Sequence, residues 1–512
     1  MSEIVLTTLN AKYIHAAFGL RYLLANLGPL RASASLVEFD INQRPSDIVE
    51  ILLARNPKII GLGMYIWNVA PATEVVGMLK RIRPEITIIL GGPEVSYEVE
   101  HQPIVQMADF VITGEADLKF AEVCSRLLAG EPLPDKIIPA ELPDFSRLAL
   151  PYSLYDERDV AHRIIYVEAS RGCPFTCEFC LSSLDIPVRQ VPLPVMLVEL
   201  QGLLDRGVKH FKFVDRTFNL NLNVSKAILE FFLERYEAGH FFHFEMIPDR
   251  LPEGLRDVIT RFPAGALQFE VGIQTFNEEV GQLIKRRQNY ERLEDNLRFL
   301  RDQTGVHVHA DLIVGLPGET VESFGAGFDR LLALGPQEIQ VGILKRLRGT
   351  PIIRHDVEWG MVYNTHPPYE ILQNRLIDFG RMQKLRRFAR YWDLVGNSGN
   401  FVESRSLIWA GTERSPFRAF MAWSEWLHAR TGRTDSIALA RLMELLFEFL
   451  TTVVKLEPKT VAELMTRDYR RGGRRDQPQF LQGLVEPEGR RIAPGEGSTL
   501  PKRQARHAAR IG

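Results

Sequence analysis

Glu168-Ala-Ser-Arg-Gly-Cys-Pro-Phe-Thr-Cys-Glu-Phe-Cys-Leu-Ser-Ser183 holds three of the chain's four cysteines, Cys173, Cys177 and Cys180, at the spacing C-x3-C-x2-C. The strand formers Ile164-Ile-Tyr-Val167 lead into it, which predicts the cysteines on a loop just past a buried strand. Gly172 and Pro174 bend that loop, and Pro174 removes a backbone donor. Three thiolates so close in sequence select a soft metal. A structural zinc site normally takes four ligands, and the remaining thiol, Cys124, lies well upstream in a helical pattern. The residues alone leave two ligand sets open. One is zinc completed by a distant histidine such as His162 or His210. The other is an iron–sulfur cluster that uses three cysteines and leaves one iron open to a small molecule bringing its own amine and carboxylate.

Composition sets wider bounds. The 512 residues are enough for two or three domains, and 45% hydrophobic with 25% charged content is that of a globular protein. A net charge of −2 argues against a general nucleic-acid binder. Four cysteines are too few for a disulfide scaffold, and clustered thiols point to a reducing compartment and a metal. No apolar run approaches the roughly twenty residues of a membrane span. The start, Met-Ser-Glu-Ile-Val-Leu, reads as a strand rather than a signal peptide, so a cytoplasmic location is expected.

Upstream of the cysteines, strands are predicted at 3–10, 34–41, 58–67, 86–92 and 109–114, and helices at 15–27, 45–56, 71–82 and 115–128. This alternation predicts a doubly wound, Rossmann-like parallel sheet over residues 1–130, with ligands past the carboxyl ends of its strands. The residues at those ends run from Asn10 to His15, Met64 to Asn68, Gly91 to Ser96 and Gly114 to Asp117. Gly91-Gly92 allows close backbone approach of a ligand. No G-x-G-x-x-G follows the first strand, which argues against a dinucleotide. Residues 131–160, with recurring prolines, read as an ordered linker.

Downstream, strands are predicted at 209–215, 242–246, 267–274, 306–314 and 338–344, each preceded by a helix. With the strand before the cysteines they make six βα units, a partial (βα)6 TIM-like barrel over 161–352 with its site at the strands' carboxyl ends. Polar groups or glycines stand at those ends: Asp215, Glu270, Gln274 and Gly315-Leu-Pro-Gly318. Asp215 could instead cap the following helix, and Glu270 and Gln274 could be satisfied interior polars. His309 and Asp311 alternate with apolar neighbours and so share one face of their strand. Residues 366–395, 402–431 and 436–455 are predicted helical, giving a helical C-terminal domain over 353–465. A basic, disordered tail is expected over 466–512.

The cysteine stretch, with the aromatic Phe179 before Cys180, resembles the C-x3-C-x-φ-C signature of the radical S-adenosylmethionine (radical SAM) enzymes. A doubly wound domain directly before it resembles the cobalamin (B12)-binding domain of the B12-dependent members. The start Asn10-Ala-Lys-Tyr-Ile-His15 and the stretch Leu344-Lys-Arg-Leu-Arg-Gly-Thr-Pro351 resemble a group of them with a helical C-terminal domain of unassigned role. The resemblance implies a 4Fe-4S cluster on Cys173, Cys177 and Cys180. It implies S-adenosylmethionine (SAM) contacts at Phe179, Asp215, Glu270, Gln274, Gly315 and Gly318. It implies cobalamin contacts at Asn10, Tyr65, Gly91, Gly92, Glu94 and Gly114. The D-x-H-x-x-G triplet of methionine synthase is absent, since His15 has neither the Asp nor the Gly at that spacing.

The implied activity is reductive cleavage of SAM to a 5′-deoxyadenosyl radical and cobalamin-dependent methyl transfer to an unactivated carbon. Two alternatives stand beside it: a cobalamin-dependent rearrangement or cyclisation, and a non-catalytic iron–sulfur regulatory protein. A methylthiotransferase is disfavoured, because its N-terminal domain carries three cluster cysteines and here only Cys124 lies upstream. The expected partners are a small-molecule or unknown substrate and an electron donor such as flavodoxin or ferredoxin, with no membrane and no nucleic acid.

Overall fold

Strand β1, Ile4–Asn10, is buried along its whole length, as a central strand covered on both faces must be. It pairs in parallel with β2 (Ala34–Asp40) on one side and β3 (Ile59–Gly63) on the other. β4 (Thr87–Gly91), β5 (Phe110–Thr113) and β6 (Ile137–Pro139) continue the parallel sheet beyond β3. The strand order is 2-1-3-4-5-6. It reverses between β1 and β3, where doubly wound sheets open a crevice. The computed structural model describes residues 3–410, 415–474, 476–485 and 500–508. It divides into two units, the first made of residues up to 216 with 345–354 and 363–370, the second of 217–344, 355–362 and the residues from 371 on.

Alternating side chains build two cores on this first sheet. Val5, Leu9, Ile60, Leu62, Ile88, Leu90 and Val111 pack with helices α2 (Pro45–Leu53), α3 (Val69–Ile82) and the short α4 (Pro103–Met107). Ile4, Leu6, Ile59, Ile89 and Ile112 pack with α1 (Phe18–Ala25) and α5 (Lys119–Leu128). On this second face, isoleucine gives way to glycine two residues on in three neighbouring strands: Ile59 to Gly61, Ile89 to Gly91, and Ile112 to Gly114 just past β5. Gly63 and Gly91 are direct cross-strand partners. The apolar filling therefore stops at the carboxyl end of the sheet.

The third strand is shorter than the expected 58–67. Asn68 ends it by donating to Gly63 O (3.0 Å) and accepting from Tyr65 N (2.8 Å), which turns residues 64–68 into the start of α3. The expected linker also contributes to this unit, because β6 lies within it, followed by a short helix α6 (Glu157–His162).

The first unit continues with β7 (Ile165–Val167), a two-residue ribbon of β8 (Ser170–Arg171) with β9 (Arg189–Gln190), helix α7 (Leu193–Asp205) and β10 (His210–Phe213), which pairs in parallel with β7. In the second unit β11 (Phe241–Met246), β12 (Leu267–Gln274), β13 (His307–Val314) and β14 (Glu338–Ile343) form a parallel run. Helices α8 (Leu222–Glu234), α9 (Glu253–Thr260), α10 (Glu278–Leu283), α11 (Tyr290–Gln303) and α12 (Val321–Leu334) alternate with them. On β13, Val308, Ala310, Leu312 and Val314 are buried on one face, while His307, His309 and Asp311 share the other.

The C-terminal helices start later than their hydrophobic pattern suggests. Residues 371–373 form a strand, and α13 (Phe379–Val395; a four-residue helical turn at 356–359 precedes it) begins only where Asp378 accepts from Arg381 N (2.9 Å). The next, α14 (Pro416–Thr431), starts at Ser415, whose side chain caps it, with Pro416 at the first helical position. α15 (Leu439–Thr452) and α16 (Pro458–Arg471) follow. The tail expected to be disordered from 466 is helical through Arg471 and again in α17 (Lys502–Ala508). There Arg503 reaches Glu338 (2.9 Å) and Asp393 (3.0 Å), so ion pairing outweighs the low apolar content. Residues 486–499 and 509–512 of that tail lie outside the described residues. No helix among the described residues is long and apolar enough to cross a membrane.

Candidate functional site

The cysteine loop is fastened at its base. β8 and β9 pair Ser170 with Gln190 and Arg171 with Arg189, closing the loop between them. Gly172 then turns it with φ +95°, and a Cβ there would sit 2.8 Å from Asp185 O and 2.9 Å from Pro187 O, so only glycine fits. Cys173 N donates to Asp185 O (3.0 Å), Cys180 N to Cys177 O (3.1 Å), and Ser183 Oγ to Cys180 O (2.6 Å). Cys173 and Cys177 are buried, and Cys180 and Phe179 are half-buried. No disulfide joins any described cysteine. Among the described residues no three His, Cys, Asp or Glu side chains converge as a metal-ligating group. The fit to a cluster therefore rests on the donor chemistry, three thiols on one loop whose backbone is tied down. Cys124 is no candidate fourth ligand, because it is fully buried in the α1/α5 core and burial pushes its thiol up to about 12.

Asp215 stands just past β10. It neither caps the next helix nor lies open to a ligand. It accepts from Ser170 Oγ (2.6 Å) and Ala169 N (3.0 Å), the residues that lead into the cysteines. Burial pushes its carboxyl up to about 7. On the far side of the loop Glu178 is also buried, and its carbonyl accepts from Ile352 N (2.9 Å).

Where the α1/α5 face runs out of isoleucines, the first unit holds a cavity of about 250 Å³. Its wall includes Gly61, Gly63, Tyr65, Gly91, Gly92 and Gly114. Gly92 has φ +106°, and a Cβ there would lie 2.5 Å from Met64 O. The cavity also reaches Asp117, Glu168 and Arg171. Arg171 pairs with Glu168 (2.6 Å), Glu115 (2.8 Å) and Asp117 (3.0 Å), and these carboxylates outweigh burial and hold its guanidinium well above the usual arginine range. The cavity and the cysteine loop thus share one segment, since Glu168 and Arg171 lie between β7 and Cys173.

Four of the six expected cobalamin residues, Tyr65, Gly91, Gly92 and Gly114, lie on this wall, and two do not. Asn10 donates to Glu38 Oε1 (3.2 Å) in a charged cluster with Arg21, Asp159 and Arg163. Glu94 is buried and accepts from Arg348 (2.9 Å) and Tyr369 Oη (2.6 Å), because a buried carboxylate needs partners and the Leu344–Pro351 stretch supplies one. His15 is engaged by Tyr166 Oη at 2.6 Å. Sequence reasoning placed Asp117 at a strand end but missed Tyr22, Glu168 and Arg171. Glu168 and Arg171 carry a readable signal, a buried-strand exit that places opposite charges three residues apart.

In the second unit Glu270 lies 3.0 Å from His243 Nε2. Gln274 has φ +74° where the β12/β13 register slips past Gly272. Gly315 (φ +92°) and Gly318 (φ +80°) are close approaches; a Cβ would meet Ile371 at 2.7 Å and Leu283 at 2.8 Å. The same turn buries Glu319, which accepts from Thr275 Oγ1 (2.6 Å) and is pushed up to about 7 by burial. His309 lies 3.3 Å from Asp311 and 3.7 Å from Glu338, and these acids outweigh its burial and push it up to about 9.

Three families match successive parts of the chain: the B12 binding domain over residues 4–124, the radical SAM superfamily over 167–331, and a protein of unknown function (DUF4080) over 357–492. An uncharacterized methyltransferase of Pyrococcus horikoshii is 26% identical over 55% of this chain and 65% of its own length. The cobalamin-dependent radical SAM methyltransferase TokK of Streptomyces tokunonensis is 24% identical over 56% of this chain and 47% of its own. The chain thus spans about half to two thirds of these curated relatives. The solved structure of the cobalamin-dependent S-adenosylmethionine radical enzyme OxsB, with aqua-cobalamin and S-adenosylmethionine bound, superposes with a TM-score of 0.63 at 14% identity. It covers 91% of this chain and 78% of the OxsB chain, and at that identity the likeness speaks for the fold.

Proposed function

The chain is a radical SAM protein with an N-terminal B12-binding domain, and from that we propose that it is a cobalamin-dependent methyltransferase acting on an unactivated carbon of a small molecule. When bound, the cluster supplies the electron that cleaves SAM and the corrinoid supplies a methyl carrier. The observation that carries the reading is the continuity of the two candidate sites: a glycine-walled cavity and a three-thiol loop joined through Glu168 and Arg171. Cys173, Cys177 and Cys180 would hold the cluster. Tyr65, Gly91, Gly92 and Gly114 would border the corrinoid's tail, the three glycines leaving room for a planar group. Glu270, Gln274, Gly315 and Gly318 would contact SAM at strand ends. Asp215 acts at one remove, fixing Ala169 and Ser170 ahead of the thiols. A cytoplasmic setting and a flavodoxin- or ferredoxin-like reductant complete the proposal.

The test is anaerobic purification with iron, sulfide and hydroxocobalamin, followed by SAM and a reductant. 5′-Deoxyadenosine together with S-adenosylhomocysteine is expected. Deoxyadenosine alone would favour a rearrangement or cyclisation, and neither product would favour a non-catalytic iron–sulfur protein. Cys177→Ala should lose bound iron and all SAM cleavage.

A further inference from the structure

Two segments from far along the chain, 345–354 and 363–370, complete the first unit. The first of them is fastened at both ends. At one end it grips the loop after β4. Arg348 Nε donates to Glu94 Oε1 (2.9 Å), which also accepts from Tyr369 Oη (2.6 Å), and Arg346 spans both oxygens of Glu98 (3.2 Å each). Glu94 lies two residues past Gly92, part of the cavity wall, and Ser96 Oγ of the same loop accepts from the N–H of Gly114 (3.2 Å), another wall residue. At its other end the segment grips the cysteine loop. Ile352 N donates to Glu178 O (2.9 Å), and Arg354 pairs with the Glu178 carboxylate (3.2 Å). Glu178 stands between Cys177 and Cys180 in the sequence. The stretch joining the two grips is short and stiff. Ile352 is the fourth residue after Arg348, a span of at most about 14 Å. Thr350 is buried and donates from Oγ1 to Leu347 O (2.6 Å). Gly349, at φ +79°, lies so close to Tyr97 that a side chain there would strike its ring.

We propose that residues 346–354 are a strap that couples occupancy of the corrinoid cavity to the hold of the cysteine loop on its cluster, with Arg348 and Arg354 as its positioning residues. The proposal rests on the cobalamin and cluster readings above. A ligand against Gly92 fixes the loop that carries Glu94 and Glu98. That loop fixes the strap, and the strap holds Glu178, so less ordering remains to be done at the cysteines. Coupling of this kind is reciprocal, and a filled cluster site tightens the corrinoid site by the same factor. The strap is a second tie between the two sites, separate in sequence from Glu168 and Arg171.

The test challenges the full, anaerobically reconstituted chain with EDTA, with and without hydroxocobalamin. Bound corrinoid is read from its visible spectrum, and retained iron from elemental analysis of desalted aliquots. Corrinoid is expected to slow iron loss from the wild-type chain about fivefold or more, the low end of coupling between sites. Arg354→Gln should still bind corrinoid and cluster but lose that protection, and Arg354→Lys should recover part of it. Arg348→Gln, at the opposite end of the strap, should lose it as well. The Arg354 side chain is 56% exposed, so its replacement leaves the fold in place. A purely structural role would speed iron loss with and without corrinoid alike and leave their ratio unchanged. Bound corrinoid without slower iron loss in the wild-type chain, or protection that survives in Arg354→Gln, overturns the strap and leaves the cobalamin reading standing. No bound corrinoid at all overturns the cobalamin reading itself, and with it this one.

Discussion

Glu319 shows how far a single buried group departs from its ordinary chemistry. Its carboxyl is 2% exposed, and burial outweighs its hydrogen bonds with Thr275 and Ser323 and pushes it up to about 7 from 4.5. A carboxyl raised in the folded state favours folding at low pH, and that contribution is lost as pH climbs from about 4.5 through 7. Glu319→Gln removes the charge that burial penalises. The variant should therefore melt above the wild-type chain at pH 8.5, by the equivalent of up to roughly 3 kcal/mol, and close to it at pH 5. A gain of equal size at both pH values would contradict the burial argument. At this scale sequence reading was uneven. The cysteines are legible because their spacing is chemical. Asp215 and Glu94 were read as ligand contacts and here meet groups of this chain, because a carboxylate at a strand end looks the same whether it faces a ligand, a loop or an arginine.

The glycines of β3 to β5 belong to the scale of the element. Gly91 and Gly92 are neighbours with different reasons to be glycine. A methyl on Gly91 would come within 4 Å of Ile112 O alone, at 3.6 Å. A methyl on Gly92 would lie 2.5 Å from Met64 O, on a backbone at φ +106°, and strain of that kind costs on the order of 1–3 kcal/mol or more. Gly92→Ala should lower the melting temperature of the first unit. Gly91→Ala should leave it unchanged while reducing the corrinoid retained after desalting. A Gly92→Ala chain as stable as wild type would show that the turn is not fixed as described. The parallel sheet was legible from its near-continuous apolar runs. The isoleucine-to-glycine alternation was equally present in the sequence, but its meaning depends on register, which pairs Gly63 with Gly91. The sixth strand was not legible. Three residues among prolines carry too little periodicity, and its partner β5 decides it.

Across the whole molecule, three domain families follow one another along the chain, and the six strands after the linker were predicted from periodicity alone. The C-terminal end departs most from its composition. A stretch rich in Arg, Gly and Pro carries α17, which ties Arg503 to Glu338 and Asp393. Glu338 is held down at about 2, against its burial, by His307, His309 and Arg503. Such a depressed carboxylate contributes stability above its ordinary pKa, and that contribution is lost as pH falls towards 2. Arg503 is about a third exposed, so screening limits its share. Arg503→Ala should cost about 1 kcal/mol near neutral pH in a urea titration, with His307 still in place. A loss of several kcal/mol would mean that Arg503 alone pairs Glu338. Charge pairing over long sequence distances has no local signature, and for that reason this segment read as a tail.

The claim on which the account turns is that Cys173, Cys177 and Cys180 hold a four-iron cluster with one iron left to SAM. The most direct measurement is Mössbauer and EPR spectroscopy of the anaerobically reconstituted, reduced chain with and without SAM. The account predicts one [4Fe–4S] cluster per chain, absent in Cys177→Ala, with an EPR signal that changes when SAM is added. Zinc in place of iron, or a cluster whose spectrum ignores SAM, would contradict it.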